Sequence, residues 1–378
     1  MTKIERIQTF PVRYTMVGRF KFFEGPEGSP TGRAAVITKI TADDGTVGWG
    51  ESVPIPKWAY ETLESCVTSI DNYIAPQLIG LDPLDLDACH HAMNAIISQG
   101  FTTGMPITKA GVDIALHDLG GKLTGQSLAQ MWGKPTGGPL EISWTLNPKT
   151  LDDLDRLIQA GWDKGFRNFN VKVAPDPEFD VEMAKRARAA VPDGFLWADA
   201  NGGYDLTTAL EAAPKLADAG VDVLEAPLKP NRIAGYQELK KQGALPILMD
   251  EGVISPTDLV EFIKLGMLDG IAQKPARCGG LVSCREQIEI LLNEGLMWLG
   301  SGLTDPDISL AATLGLYAAY GLDKPAALNG PQFLAESVIS ERLMPVDGKL
   351  AVPDGPGLGI EVDERKLKAL SKRTGKWR

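Results

Sequence analysis

Five charged residues each end a short apolar run, at nearly equal intervals along the chain. The runs NFNVK, FLWAD, VDVLE, LPILMD and DGIAQK end at Lys172, Asp199, Glu225, Asp250 and Lys274, with spacings of 24 to 27 residues. Such a spacing fits one strand, one helix and two loops, so each unit would place its charged group at the carboxyl end of a strand. That end of a (β/α)-barrel carries the catalytic groups. The pattern predicts three carboxylates flanked by two lysines on one face.

The chemistry of such a face follows from the residue types. Three converging carboxylates repel one another unless a cation lies between them, and oxygen-only ligands favour magnesium or manganese over softer metals. The metal could bind a substrate carboxylate and stabilise the charge that develops when a proton leaves the neighbouring carbon. A desolvated lysine beside a metal can lose its proton near neutral pH and act as a general base. Lys172 and Lys274 could then reach opposite faces of one planar intermediate.

Simpler interpretations exist for each residue taken alone. A single acidic residue after a strand is usually a helix cap or a loop residue, and a single lysine is usually a solvated charge. Five such residues in register are hard to explain in this way. Two other functions remain as alternatives: a barrel that binds metal without catalysis, and an aldolase with a Schiff-base lysine, which would leave the three carboxylates unexplained.

The surrounding sequence predicts two lobes. Residues 1–125 start with strand-like alternation and continue with helical spacing, which indicates an α+β domain. Residues 136–326 alternate short apolar runs with amphipathic segments, which is typical of parallel βαβ units. Residues 327–378 lose this alternation and are expected to pack back on the first lobe. The predicted fold class is therefore α/β: a modified, TIM-like (β/α)-barrel with an N-terminal α+β capping domain.

Composition excludes several functions. The net charge of -11 argues against a nucleic-acid or anionic-membrane partner, since both reward basic surfaces. No apolar run is long enough to span a membrane and the N-terminus lacks a signal-peptide core, so the expected location is the cytoplasm. The four cysteines form no CxxC pair, and no GxGxxG motif opens a helix after the first strand. Zinc binding, thiol catalysis and dinucleotide binding are therefore not expected.

Several motifs resemble those of a known family. NFNVKVAPDPEFD, WADANGGYD, LEAPL, LMDEG and IAQKPARCGG, with IALHDLGGKLTGQSLAQMWG before them, are similar to the enolase superfamily and to its muconate cycloisomerase-like subgroup, within the mandelate racemase/muconate lactonizing enzyme family. The resemblance covers nearly the whole chain. It implies a lobe that caps the barrel, a small carboxylate substrate and a homo-oligomer. It also implies Mg²⁺ or Mn²⁺ on Asp199, Glu225 and Asp250, with Lys172 and Lys274 as the acid/base pair, as superfamily sites pair such a base with magnesium.

The resemblance also suggests which residues support this centre. All three histidines precede residue 136, so a lysine must serve as the base that other members take from a late-strand histidine. Residues beside the motif positions are candidates for contacts that orient the metal ligands: Asn201, Glu251 and Arg277.

The chain departs from the subgroup at two places. The usual Lys-x-Lys on the second barrel strand is Asn170-Val171-Lys172 here, so Asn170 could hydrogen-bond the substrate or orient Lys172. Where the subgroup carries a glutamate near the last strands, this chain reads GSGLTDPDISLAA. Asp305 or Asp307 could bind a cationic or hydroxylated substrate group, or cap a loop. The segment ALNGP lacks the Asp-x-Asp of dipeptide epimerases, which argues against a dipeptide substrate.

Substrate contacts are expected from a segment of the first lobe. VGRFKFFEGPEGSPTG is rich in glycine and aromatic residues and could form a lid, in which cations bind an anion and aromatic side chains cover an apolar group. An exposed hairpin tip is the alternative. The candidates are Arg19, Lys21, Phe20, Phe22 and Phe23, with Trp144 and Trp298 near strand ends, which would line the pocket or fill the barrel.

The predicted function is metal-dependent removal of a proton from the carbon next to a carboxylate. A racemase, an epimerase or a cycloisomerase on a small acid, such as an amino-acid derivative, is expected. Lysines on both faces make racemisation or epimerisation directly available, whereas lactonisation needs only one lysine and an acid. A dehydratase of a hydroxy acid or of a hydroxyproline-like substrate is an alternative.

Overall fold

The first lobe begins with an antiparallel sheet. The computed structural model describes residues 2–24, 31–100 and 103–374. The sheet has the order β1-β2-β3. Its strands are β1 (Ile4–Tyr14), β2 (Arg33–Ala42) and β3 (Val47–Ser52), and a 3₁₀ turn (Lys21–Phe23) lies between the first two.

Helices follow this sheet in the first lobe. They are α1 (Leu63–Ser69), which continues through a π-helical turn (Ile70–Ile74) into α2 (Ala75–Leu78), then α3 (Leu86–Ile96), α4 (Pro106–Thr124) and α5 (Leu128–Met131). Helix α4 approaches β3 so closely that a Cβ atom on Gly50 would lie 1.9 Å from the Gly111 oxygen. Glycine at this position therefore allows the helix to lie directly on the strand.

The second lobe is a parallel barrel. Its sheet runs in the order β5 to β11, with each strand beside its neighbour in sequence. The strands are β5 (Trp144–Leu146), β6 (Phe169–Lys172), β7 (Leu196–Asp199), β8 (Val223–Glu225), β9 (Ile247–Met249), β10 (Gly270–Gln273) and β11 (Met297–Gly300). The intervening and following helices are α6 (Leu151–Asp163), α7 (Pro177–Ala190), α8 (Leu206–Asp218), α9 (Ile233–Gln242), α10 (Pro256–Lys264), α11 (Leu281–Glu294) and α12 (Asp307–Ala319).

Two alanines close the barrel. The Ala327 N–H donates to the Gly300 oxygen at 2.8 Å, and the Ser143 N–H donates to the Ala326 oxygen at 2.9 Å. This short segment thereby joins the last strand of the sheet to the chain just before the first. The predicted fold class, a modified (β/α)-barrel with an α+β cap, is confirmed.

An apolar layer fills the barrel beneath the row of charges. Because alternate strand residues face inward, the residue two positions before a charged group lies one level deeper. Trp197, Val223, Leu248, Ala272, Leu299 and Ala327 form this layer, each from a different strand. This layer supports the charged residues above it.

The chain after the barrel returns to the first lobe. Its elements are α13 (Gly330–Phe333), β12 (Lys349–Leu350), which pairs with β4 (Leu140–Glu141), and α14 (Glu364–Thr374). Helix α14 lies against β1, where the Arg13 N–H donates to Thr374 Oγ1 at 2.8 Å. The division into residues 1–125, 136–326 and 327–378 stays a prediction. Among the described residues, no helix has the length and apolar character needed to cross a membrane.

Asp113 links the cap to the barrel. This buried α4 residue accepts a hydrogen bond from the Leu281 N–H at the start of α11 at 2.5 Å, and its other oxygen lies 2.7 Å from His90 Nε2. Burial lowers the pKa of His90, but Asp113 outweighs this effect and raises the pKa above its ordinary 6.5. The pair should therefore stabilise the fold fully below pH 6.5, and this contribution should be lost as the pH rises through the raised pKa.

His90→Ala is expected to lower the free energy of unfolding by about 1.5–3 kcal/mol at pH 5.5, because a charge-assisted hydrogen bond is lost, and by less at pH 8.5. Urea unfolding at the two pH values measures both effects. His91→Ala is the control, since His91 is an exposed neighbour on the same helix. An equal loss at both pH values would show that the charge of His90 contributes nothing.

Candidate active site

The five charged residues form one row at the mouth of the barrel. In the sheet register Lys172 pairs with Asp199, and Asp199 pairs with Glu225, so three neighbouring strands place them side by side. The row is almost completely buried, with side-chain exposures of 6% for Lys172 and 1% or less for the other four residues. The structure thus brings together all five residues that the spacing predicted.

Each lysine contacts the carboxylates at its own end of the row. Lys172 Nζ lies 2.5 Å from Asp199 Oδ2. Lys274 Nζ lies 2.5 Å from Asp250 Oδ2 and 3.5 Å from Glu225 Oε1. The two ammonium groups therefore flank the carboxylates from opposite sides, which is the arrangement needed to address two faces of one substrate.

Glu225 is the least compensated of the three carboxylates. Its Oε1 atom is buried and forms no hydrogen bond among the described residues, and its ion-pair partner, Lys274 Nζ, lies 3.5 Å away. Burial and the charge of Asp199 raise the pKa of Glu225 well above its ordinary value. Burial lowers the pKa of Lys172, but the negative charges of Asp199 and Glu225 outweigh this effect and raise the pKa above its ordinary value. Lys172 is thus held protonated by the negative charge beside it.

Three neighbouring residues support the row. The Asn201 backbone N–H and side chain donate to the two Asp199 oxygens at 2.8 and 3.0 Å. Arg277 forms an ion pair with the Asp250 carboxylate and donates to the Asp250 backbone oxygen at 2.8 Å. Glu251 accepts from Asn201 Nδ2 at 3.4 Å. Asn201 also has a φ of +48°, a left-handed conformation that is costly for a residue with a Cβ and is common at functional sites.

The donor set fits a hard divalent cation by its chemistry. Asp199, Glu225 and Asp250 offer only oxygen, adjacent in space, and the buried Glu225 Oε1 forms no hydrogen bond among the described residues, a deficit that a cation would satisfy. The carboxylates are turned toward the lysines, and no group of three or more His, Cys, Asp or Glu side chains in the described ranges is arranged around a common point. Metal binding therefore requires the lysine–carboxylate pairs to separate.

Asn170 lies one level below Lys172, inside the barrel. It is fully buried, and neither its Nδ2 nor its Oδ1 atom has a hydrogen-bond partner among the described residues. Its strand neighbours in the register are Thr145 and Trp197. An unpartnered buried polar group costs about 1–3 kcal/mol, so this amide calls for a substrate atom or a water molecule.

Aromatic residues of the cap cover the site. The Phe22 ring stacks on Trp58 with a centroid distance of 4.2 Å. Trp58 Nε1 donates to Glu251 Oε1 at 2.6 Å, and Lys274 Nζ lies 4.9 Å from the centroid of the Trp58 ring. Sequence reasoning missed Trp58. Its only signal was the aromatic pair in PKWAYE, which follows no periodic pattern.

A cleft of about 470 Å³ opens beside this aromatic cover. Cap and barrel both contribute to its walls, which include Phe22, Trp58, Asn201, Lys229, Glu251 and Arg277. Its apolar walls with a few converging polar groups are typical of a small-molecule site between domains.

The other candidates for substrate contact form contacts of their own. Arg19 forms an ion pair with Glu24 at 2.6 Å. Trp144 donates to the Leu157 oxygen of α6 at 3.0 Å, and Trp298 packs on Tyr317 of α12, so neither is directed into the mouth. The last two candidates are Asp307 and Asp305. Asp307 accepts a hydrogen bond from the Leu343 N–H at 3.1 Å.

Asp305 is fully buried at the junction of cap and barrel. It accepts from the Leu303 N–H at 3.2 Å, while its Oδ2 atom has no hydrogen-bond partner among the described residues. Burial raises the pKa of Asp305 to about 6, and the charges of Arg33 and Lys274 oppose this increase. Asp305 therefore remains a candidate for contact with a substrate group near Lys274.

Fold and site together define an enzyme with a capped (β/α)-barrel. Two family models match the chain: "Enolase C-terminal domain-like" over residues 153–366, and "Mandelate racemase / muconate lactonizing enzyme, N-terminal domain" over residues 28–133. The chain therefore belongs to the mandelate racemase/muconate lactonizing enzyme family of the enolase superfamily, and it is an isomerase of that superfamily.

Relatives and solved structures agree with this assignment. Chloromuconate cycloisomerase CbnB of Cupriavidus necator is 31% identical over 88% of this chain and 90% of its own length. Muconate cycloisomerase 1 of Rhodococcus opacus is 27% identical over 91% and 92%. The crystal structure of muconate lactonizing enzyme from Pseudomonas fluorescens, complexed with muconolactone, superposes with a TM-score of 0.90 at 26% identity, covering 98% of this chain and 99% of that one.

Proposed function

We propose that this isomerase is a magnesium-dependent cycloisomerase, which moves a proton at the carbon next to the carboxylate of a small organic acid. The observation that carries the proposal is the pair of buried lysines at opposite ends of a row of three carboxylates. The names of the relatives support the reaction class, since they are muconate and chloromuconate cycloisomerases. Mn²⁺ is the alternative metal, because it accepts the same oxygen ligands.

Asp199, Glu225 and Asp250 would hold the metal. When bound there, a divalent cation supplies positive charge that stabilises the negative charge developing on the substrate carboxylate as the proton moves. Asn201 orients Asp199 through two hydrogen bonds, and Arg277 holds Asp250. These contacts keep the ligands in place while the lysines turn from the carboxylates to the substrate.

Lys172 and Lys274 would transfer the proton. Lys172 keeps its proton because Asp199 and Glu225 raise its pKa. Neutralising these carboxylates removes that stabilisation, so Lys172 can release the proton near neutral pH and act as a base at one face of the substrate. Lys274 stands at the other end of the row and can act at the opposite face. The Phe22–Trp58 stack excludes water from this space.

Racemisation or epimerisation is a second candidate. A lysine on each side of the row would allow one group to remove a proton and the other to return it on the opposite face, which inverts the carbon. The relatives give no support to the dehydratase or to the non-catalytic barrel.

Proton exchange in D₂O tests the proposal. The protein is incubated with muconolactone and separately with N-acyl amino acids, with Mg²⁺ or with EDTA, and deuterium at the α-carbon is followed by mass spectrometry. We expect exchange with Mg²⁺ only. Exchange with inversion of an N-acyl amino acid would favour racemisation, and conversion of cis,cis-muconate to its lactone would favour cycloisomerisation. A folded sample that exchanges no α-proton with any of these acids contradicts the proposal.

A further inference from the structure

Asp180 is a buried carboxylate on the first turn of α7, the helix that follows β6. Its side chain is 2% exposed, and its Oδ2 atom accepts two hydrogen bonds, from the Ala174 N–H at 2.8 Å and from the Tyr204 hydroxyl at 2.5 Å. Burial raises the pKa of Asp180 to about 6, and both hydrogen bonds oppose this increase. A carboxylate that is costly to bury is thus held between two distant segments of the chain.

The two hydrogen bonds of Asp180 join the loops that follow neighbouring strands of the barrel. Ala174 comes two residues after Lys172, at the end of β6, and Tyr204 comes five residues after Asp199, at the end of β7. Asp180 therefore connects the strand end that carries a lysine of the row to the strand end that carries the carboxylate beside it.

These loops need support because their backbones are strained. Ala174 has a φ of +69° and Asn201 a φ of +48°, left-handed values that are costly for residues with a Cβ atom. The loops also lie in contact, since a Cβ atom on Gly203 would be 2.8 Å from the Ala174 Cβ atom. Strain of this kind persists only where surrounding contacts hold it, so the first loop could relax without Asp180.

A movement of this loop would displace Lys172. Its Nζ atom lies 2.5 Å from Asp199 Oδ2, and the Val173 N–H donates to the Asp199 backbone oxygen at 3.0 Å, so both contacts depend on how the two strand ends are aligned. We propose that Asp180 is a positioning residue, which holds Lys172 at the place beside Asp199 that proton transfer needs. This inference rests on the proposed function of the site.

Exchange at the methylene carbon of muconolactone tests the inference. The two hydrogens next to the carboxylate are diastereotopic, so NMR in D₂O with Mg²⁺ follows each of them separately. Lys172→Met identifies the hydrogen that Lys172 moves. We expect Asp180→Ala to slow exchange of this hydrogen on the order of 10²-fold, as for a small misplacement of a reacting group, and to spare the other. Asp180→Asn should recover most of the loss, because an amide oxygen can accept both hydrogen bonds.

Two further variants complete the test. Tyr204→Phe removes one of the two hydrogen bonds and should slow exchange of the same hydrogen by a smaller factor, so it decides the test if Asp180→Ala does not fold. Glu182→Ala is the control, because Glu182 lies on the same helix and its carboxylate pairs with Arg186. Exchange in this control should equal that of the wild type.

The other outcomes separate this inference from the proposed function. Equal slowing of both hydrogens, or no recovery in Asp180→Asn, shows a merely structural role and overturns the inference. Full exchange in folded Asp180→Ala, or a Lys172→Met variant that slows neither hydrogen, overturns it as well. In all these cases the magnesium-dependent exchange of the wild type leaves the proposed function standing. A wild type that exchanges neither hydrogen removes the inference, and the same result with the N-acyl amino acids removes the proposed function too.

Discussion

Replacing Lys274 by methionine is expected to lower kcat for magnesium-dependent α-proton exchange by about 10³-fold, within the range for loss of a general acid or base. Methionine retains most of the side-chain length and removes the ammonium group. The exchange rate in D₂O with saturating substrate measures the effect. Lys215→Met is the control, because Lys215 is exposed on α8. An unchanged kcat in the Lys274 variant would exclude this lysine from proton transfer.

The same variant should bind the metal more tightly. Lys274 Nζ lies 2.5 Å from Asp250 and 3.5 Å from Glu225, so its ammonium competes with a divalent cation for these carboxylates. Without the metal, the variant should be less stable by about 3–5 kcal/mol, since buried carboxylates lose their partner. Binding of Mg²⁺ should restore much of the lost free energy of unfolding. A variant that is inactive and also fails to bind Mg²⁺ would indicate a damaged site and not a missing base.

Glu225→Gln is expected to remove most of the stabilisation that Mg²⁺ confers. A ligand at 100 times its Kd stabilises a folded protein by about 2.7 kcal/mol, and this increment should nearly disappear when a carboxylate ligand becomes an amide. Without metal, the variant should be as stable as the wild type or more stable. The reason is that Glu225 is a buried carboxylate with a raised pKa, and its Oε1 atom forms no hydrogen bond in the part of the chain that the structure describes.

Thermal unfolding with and without Mg²⁺ measures both effects. Glu211→Gln is the matched control, because Glu211 is exposed on α8 and lies far from the barrel mouth in sequence and in its helical position. If Glu225→Gln kept the full magnesium increment, Glu225 would not be a ligand, and the metal centre would have to be assigned to other residues.

Much of the site follows from local periodicity. Parallel strands of a barrel all end at one face, so a charged residue that closes each strand must join its neighbours there. For that reason the spacing of Lys172, Asp199 and Glu225 alone predicted their proximity, and their register pairing bears this out. The family likewise follows from short motifs around these strand ends.

The tertiary structure alone decided the cover and the pairing of charges. Trp58 reaches Glu251 across 193 residues of sequence, and Phe20 lies with its ring centroid 5.9 Å from Lys172 Nζ only because the cap folds over the barrel. Such contacts produce no periodic pattern in the sequence, because the position of one partner does not constrain the types of the residues next to it. Trp144 shows the opposite case: a large aromatic near a strand end suggested the pocket, but the strand directs it outward to α6.

The amino-acid sequence by itself thus determined the barrel, its row of three carboxylates and two lysines, and the family. Those features follow from the regular repeat of strand and helix patterns along the sequence, which each short segment shows by itself. Folding of the two lobes onto each other determined which aromatic residues cover the site and how Asp113 joins the lobes. These features depend on the orientation of distant segments, which is set by packing over the whole interface and not by the spacing of residues along the chain.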